Sequence, residues 1–227
     1  IITTTDRARY YSFYAWVLYR FINMPGSSRL LKDFRGPFFK RHEVAFIVGA
    51  YSNHSAIAGL VGSGINNHKV RTWWEASDPV LLDVPYFQNQ LGGFGQYYLT
   101  AMQAMGIVGT SEHPSWVYRL MARGDDLAKA YQAAIAETAY ANKLESAGQL
   151  TRLSHADALE YGKHGCLCPE SLALGGDLSL LRDAFFRFDQ QGDNPHVRRR
   201  LALTVALDLV RGANGRFTRE MLRPALY

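Results

Sequence analysis

The chain has 227 residues, of which 48% are hydrophobic, and this length and composition suit a globular protein with a proper core. Its two cysteines, Cys166 and Cys168, are separated by a single residue, which excludes a disulfide framework and favours a reducing, cytoplasmic location. No apolar run reaches the roughly eighteen residues that a transmembrane helix needs, so we expect no membrane span. The sequence begins at Ile1 instead of a methionine, which leaves room for a missing upstream segment.

The net charge of +5 is unevenly distributed along the chain. Residues 1–45 contain eight Lys/Arg against three Asp/Glu, and residues 196–227 contain seven against two, whereas the middle of the chain contains ten against fifteen. Basic ends of this kind can contact nucleic acid, or they can satisfy the acidic middle of the same chain. Both interpretations stay open.

An aromatic-rich helix is the first predicted element, running from Arg7 to about Asn23 and ended by Pro25-Gly26. Because it is apolar on nearly every side, it is typical of a helix buried in a core or an interface. Its arginines then have two interpretations. They either bond carboxylates and stack on rings inside the protein, or Arg7, Arg9 and Arg20 bind phosphate while Tyr10 or Tyr11 stacks on bases.

The same stretch carries a faint resemblance. The pattern T-x-x-R-A-R-Y-Y-x-F-x-x-W within residues 3–16 resembles a short signature in uncharacterised bacterial proteins of unknown function, some of which accompany defence loci. The resemblance implies a bacterial defence context and no particular chemistry.

A second helical segment resumes after Gly36-Pro37 and continues through residues 38–57. Arg35, Lys40 and Arg41 alternate here with phenylalanines, which suits phosphate contact beside an apolar anchor. A solvated helix end with two core phenylalanines explains the same pattern. The segments that follow, GLVGSGINNHK and WWEASDPVLLDVP, are predicted as a loop and as extended, irregular backbone.

Residues 91–132 show the order helix, hairpin, helix. A helix with apolar residues every three or four positions ends at Gly106, two short β-prone runs follow at residues 107–108 and 116–120, and an Ala-rich helix closes the segment. The run resembles the winged-helix pattern, which implies a recognition helix, a wing and a closing helix. Since residues 88–105 contain no lysine or arginine, base contacts would fall to Gln96 and Tyr97, and a role in packing or protein docking is the alternative.

Helical patterns also fill the C-terminal part, beginning with a helix capped by Ser154. The segment HVRRRLALTVALDLVRG places three successive arginines at the start of a helix, where they oppose the helix dipole unless an anion or carboxylate is near. Arg198, Arg199 and Arg200 are therefore candidates for phosphate contact.

Four residues of metal-ligand type, His155, His164, Cys166 and Cys168, lie close together in the segment HADALEYGKHGCLCP. A C-x-C pair with a histidine two residues before it is strained for a single ion, so we predict no metal ligand and no cofactor. A Cys166 nucleophile paired with His164 is conceivable, but no catalytic motif surrounds it.

The sequence thus predicts a mainly α protein with a small β-hairpin, divided into an N-terminal helical layer (residues 1–39), a winged-helix-like module (40–147) and a C-terminal helical bundle (148–227). The expected function is that of a non-catalytic, DNA-associated subunit of a bacterial defence or DNA-transaction complex. A protein-interaction subunit without DNA contact and a metal-dependent hydrolase using the His/Cys turn are the alternatives. The candidate nucleic-acid contacts are Arg7, Arg9, Arg35, Lys40, Arg41, Gln96, Tyr97, Arg198, Arg199 and Arg200.

Overall fold

Among the residues that the structure describes, helices dominate and two small antiparallel sheets of two strands each are present, which confirms the predicted fold class. The computed structural model describes residues 8–24, 37–54, 67–84, 88–111, 118–168, 175–187 and 191–212. The chain divides into two compact units, residues 1–181 and 182–227, and the three-part division stays a prediction. Among the described helices, none combines the length and the apolar character needed to cross a membrane.

Helix α1 (Arg9–Asn23) forms the centre of the first unit and packs against helix α5 (Ala122–Ile135). Its tyrosines, phenylalanines and Trp16 are almost all buried, as its aromatic sequence predicts. The rings pack with the offset and edge-on geometries that aromatic pairs favour, for example Phe13 and Phe46 with centroids 4.5 Å apart.

Helix α2 (Pro37–His54) packs along helix α7 (His155–Gly165), and two glycines mark the closest point of their contact. A Cβ atom on Gly162 would lie 2.0 Å from the carbonyl oxygen of Gly49, so only glycine allows this approach of the two backbones. The C-terminal ends of both helices follow within a few residues of this contact.

A short helix α3 (Asn67–Ala76) replaces part of the extended backbone that was predicted for WWEASDPVLLDVP. That prediction is wrong for Trp73 and Trp74, which lie inside the helix, because the prolines that suggested irregular structure come only after it. Strand β1 (Val80–Leu81) follows and pairs with strand β4 (Arg152–Leu153) in antiparallel register.

The segment that resembles a winged helix begins with a π-helical turn (Phe94–Tyr98), which continues as helix α4 (Leu99–Ala104). Strands β2 (Val108–Thr110) and β3 (Tyr118–Leu120) form an antiparallel pair, so the predicted hairpin is confirmed within the described residues, and α5 follows directly. The assignment to the winged-helix family stays a prediction.

The predicted helix was expected to include Leu91, but it starts later because Gly92 has a φ of +61° and the N–H of Phe94 donates to the buried Oε1 of Glu43 at 3.0 Å. A side chain of helix α2 therefore caps this turn from outside its own segment.

The other helices in the described part of the chain are α6 (Ala139–Ala147), α8 (Asp177–Phe186) and α9 (Pro195–Gly212). Helix α7 begins as predicted, since the hydroxyl of its N-cap Ser154 accepts a hydrogen bond from the N–H of Asp157 at 3.1 Å. The boundary between the two units falls within α8, and α9 belongs wholly to the second unit.

Candidate functional site

Arg9, a predicted phosphate contact, lies in the core with 1% of its surface exposed. Its Nη1 donates to the carbonyl of Cys166 at 2.8 Å, its Nε lies 3.4 Å from Oδ2 of Asp177, and its guanidinium sits 5.4 Å from the ring centroid of Tyr131. These contacts match the alternative in which the arginine bonds a carboxylate and stacks on a ring. In the folded protein this side chain is out of reach of a nucleic acid.

Arg41 is held by acceptors of its own chain. Its Nε and Nη2 donate to the two carboxylate oxygens of Asp83 at 2.7 and 2.9 Å, and its Nη1 donates to Gln149 at 2.8 Å. The neighbouring Lys40 is half-buried. Arg7 and Arg35 fall outside the described residues. A phosphate at Arg41 would therefore have to compete with a bidentate ion pair.

The arginine cluster at the start of α9 also has partners. Arg198 forms a bidentate pair with Asp193, both distances being 2.7 Å, and this hydrogen bond lowers the pKa of the Asp193 carboxyl. Arg200 donates to the carbonyl of Arg187 at 3.0 Å. The side chain of Arg199 is outside the described part of the chain. The carboxylate that an arginine needs at a helix start is thus supplied by Asp193.

The two predicted base-contacting residues lie on the π-helical turn. Gln96 is exposed and its amide donates to the hydroxyl of Tyr97 at 3.1 Å, while Tyr97 is half-buried. Arg119 is exposed on β3 of the adjoining hairpin and was not among the predicted contacts. The segment therefore presents an amide and one cation from neighbouring elements.

The His/Cys turn is arranged differently from the sequence interpretation. His155 stacks on Trp74 with centroids 3.8 Å apart and donates from Nε2 to the Trp74 carbonyl at 3.0 Å. His54, at the end of α2, instead joins the two cysteines: one ligand atom from each of His54, Cys166 and Cys168 lies within 4.8 Å of the others. We call these three residues the His–Cys cluster.

Sequence reasoning missed His54 because it is far from the cysteines along the chain. One signal was present: Gly49 precedes His54 by about as many residues as Gly162 precedes Cys166, and these glycines allow the two helices to meet. That signal becomes readable only once the two helices are known to be neighbours.

Cys166 is a poor nucleophile in this setting. Burial raises the pKa of its thiol to about 12, although the Arg9 guanidinium acts in the opposite direction. A thiol with so high a pKa is protonated at neutral pH, and the thiolate is the reactive form. The geometry therefore does not favour covalent catalysis by Cys166.

Helix α9 is exposed although its sequence is apolar on most sides. Leu201, Val205 and Leu207 have 57%, 43% and 56% of their surface exposed, and none of the α9 residues with a described side chain is buried. At 100° per residue, Leu201 and Val205 share one face and Leu207 lies on another. We call these three residues the α9 apolar surface.

Within the described residues, the predicted arginines are thus largely engaged internally, while the His–Cys cluster and the α9 apolar surface were not predicted. The His–Cys cluster is a set of possible metal ligands, whereas the α9 apolar surface consists of exposed apolar side chains on one helix. No protein-family model matches the sequence, and neither a curated protein nor a solved structure is significantly similar to the chain.

Proposed function

We propose that the protein is a binding subunit that docks on a second protein through helix α9. The observation that carries this proposal is the exposure of Leu201, Val205 and Leu207 on a helix of 18 residues. An apolar helix face is ordinarily buried, and exposed apolar residues that share a face, as Leu201 and Val205 do, mark interaction sites. Burying one such side chain is worth about 1.5–3 kcal/mol, so a partner that covers all three would gain substantially.

The charge of this region indicates the chemistry of the partner. Residues 196–227 carry seven Lys/Arg against two Asp/Glu, so a second copy of α9 would bring like charges together. An apolar groove rimmed by carboxylates fits both the α9 apolar surface and the exposed Arg211 near its end. The proposed occupant is therefore a different protein with an acidic rim.

In-cell photo-crosslinking followed by reconstitution tests this proposal. A photoreactive amino acid at position 205 should form an adduct with one partner, whereas the same group at Leu159, an isolated exposed leucine of α7, should not. The partner is then identified, purified and mixed with the full chain, and the complex is measured by size-exclusion chromatography.

Val205→Glu and Leu201→Glu should abolish the reconstituted complex, and Leu159→Glu should leave it intact. A complex that survives both α9 substitutions would refute docking through α9. A homodimer dispersed by Val205→Glu in light scattering would replace the proposed partner with a second copy of the chain.

Association with DNA is a second candidate, favoured by the exposed Arg119 on the hairpin, by the exposed Gln96 on the π-helical turn and by the positive net charge. Binding of a fluorescent duplex at several salt concentrations should weaken as salt rises, and Arg119→Ala should reduce the slope of log affinity against log salt by about one phosphate contact. Absence of binding at low salt would remove DNA from the proposed function, whatever the result for α9.

A further inference from the structure

We infer that the His–Cys cluster binds a thiophilic transition-metal ion, Zn²⁺ in the first place. This inference is independent of docking through α9. It concerns residues 54, 166 and 168, all of which belong to the first compact unit.

The donor set has the chemistry of a zinc site. Two cysteine sulfurs and one imidazole nitrogen are the ligands that Zn²⁺ prefers, and hard cations such as Mg²⁺ prefer oxygen. Three protein ligands, as in the Cys₂His set, leave a fourth coordination position for water or another ligand. Among the described residues, no further histidine, cysteine or carboxylate joins the three.

The backbone brings these ligands together from distant parts of the chain. His54 is the last residue of α2, and Cys166 directly follows the last residue of α7. The contact of Gly49 with Gly162 fixes the two helices against each other one turn earlier. The separation of His54 from Cys166 is therefore set by helix packing, and Cys168 follows Cys166 by two residues.

Several groups around the cluster favour a bound cation. The C-terminal ends of α2 and α7 both meet there, and helix C-termini carry partial negative charge that stabilises cations. The N–H of Cys168 donates a hydrogen bond to Sγ of Cys166 at 3.3 Å, and Nη1 of Arg9 donates to the Cys166 carbonyl at 2.8 Å. Hydrogen bonds of this kind orient ligands around a bound metal.

The distances fit an ion after a small adjustment. Nitrogen and sulfur ligands at about 2.0–2.3 Å from a tetrahedral ion lie roughly 3.3–3.8 Å from each other. The cluster spans up to 4.8 Å and needs to contract by about an ångström. His54 is exposed and Cys168 is half-buried, so an ion can reach these two ligands from solvent.

The test uses the full chain, reduced and stripped of metal by a chelator. Zn²⁺ is titrated against a chromophoric competitor, and Co²⁺ is added as a spectroscopic probe for thiolate ligation. We expect a single Zn²⁺ ion per chain, and a thiolate-to-cobalt charge-transfer band that loses about half its intensity in Cys168→Ser because one of two sulfurs is removed.

His54→Ala is the decisive variant, since an exposed residue can be changed without disturbing the core. It should weaken zinc binding at least about tenfold. His164→Ala is the matched control, because His164 lies two residues before Cys166 and outside the cluster. The zinc affinity of this variant should equal that of the wild type.

The inference is overturned if the reduced chain takes up no Zn²⁺ in competition with the chelator. It is equally overturned if His54→Ala and Cys168→Ser bind Zn²⁺ as tightly as the wild type. Because Cys166 is buried, Cys166→Ser could disturb folding, and the conclusion therefore depends on the other two variants.

Discussion

Arg9 Nε lies 3.4 Å from Asp177 Oδ2, and both side chains are almost completely excluded from solvent. This pair connects the start of the aromatic helix α1 with the start of α8, and Arg9 also reaches the carbonyl of Cys166. A buried ion pair contributes little by itself compared with apolar packing, but removing one partner leaves an uncompensated charge in the core.

Asp177→Ala should therefore lower the free energy of unfolding by about 3–5 kcal/mol. The matched control is Asp183→Ala, which removes one partner of the exposed pair between Arg182 and Asp183 and should cost at most about 1 kcal/mol. Urea denaturation followed by circular dichroism measures both. Equal losses of unfolding free energy in the two variants would show that Asp177 does not stabilise the buried charge of Arg9.

His42 should make the stability of the protein depend on pH. It is buried with Nδ1 2.9 Å from the hydroxyl of Tyr140, and burial, aided by Arg20 and Arg41, lowers its pKa to about 3. Below pH 6.5 the unfolded chain takes up a proton that the folded chain excludes. Stability should thus fall as the pH decreases from 6.5 towards about 3, by up to about 1.4 kcal/mol per pH unit.

His42→Asn separates this effect from the titration of carboxylates, because asparagine is polar but does not titrate. Unfolding free energies of the wild type and the variant are compared between pH 4 and pH 8. Below pH 6.5 the slopes of unfolding free energy against pH should differ between wild type and variant by the equivalent of about one proton, and above pH 6.5 they should agree. Parallel curves throughout would mean that His42 takes up its proton at the same pH in the folded and the unfolded chain.

Gly162→Ala should disrupt the packing of α2 on α7, since the added Cβ would lie 2.0 Å from the Gly49 carbonyl oxygen. Overpacking of this kind costs about 1–3 kcal/mol or more. Gly212→Ala makes the same chemical change at a helical position where no atom of the described residues would lie within 4 Å of the added Cβ, and should be neutral or slightly stabilising. Thermal unfolding measures both, and an undisturbed melting temperature for Gly162→Ala would contradict the close helix contact.

Ser154→Ala should cost about 1 kcal/mol, because it removes the N-cap that accepts from the N–H of Asp157. Ser146→Ala is the control: this hydroxyl bonds only to carbonyls of its own helix, so alanine should be tolerated there. Chemical denaturation compares the two. If both variants lose the same stability, the cap at the start of α7 contributes nothing.

Local patterns predicted several parts of the fold well. The Ser154 cap, the hairpin after Gly106 and the burial of α1 follow from a side chain's own neighbours or from periodicity, which the sequence displays directly. The π-helical turn at Phe94 was not predictable, because it depends on Glu43 from another helix.

The candidate sites depended even more on tertiary structure. The phosphate contact predicted for Arg9 rested on its sequence neighbours, whereas its partners Asp177 and Cys166 are far away along the chain. His54 has no linear motif that connects it with the cysteines. Charge and residue type identified candidate side chains, but only helix packing determined which were occupied and which were brought together.

The pairing of α2 with α7, and of α1 with α5, also has a kinetic consequence. Each pair joins segments that are roughly a hundred residues apart, so much of the chain must close into loops before these contacts form. Folding rates fall as the mean sequence separation of native contacts rises. Refolding of the first unit should therefore be slower than that of a helical bundle built from consecutive hairpins, even though both consist mainly of helices.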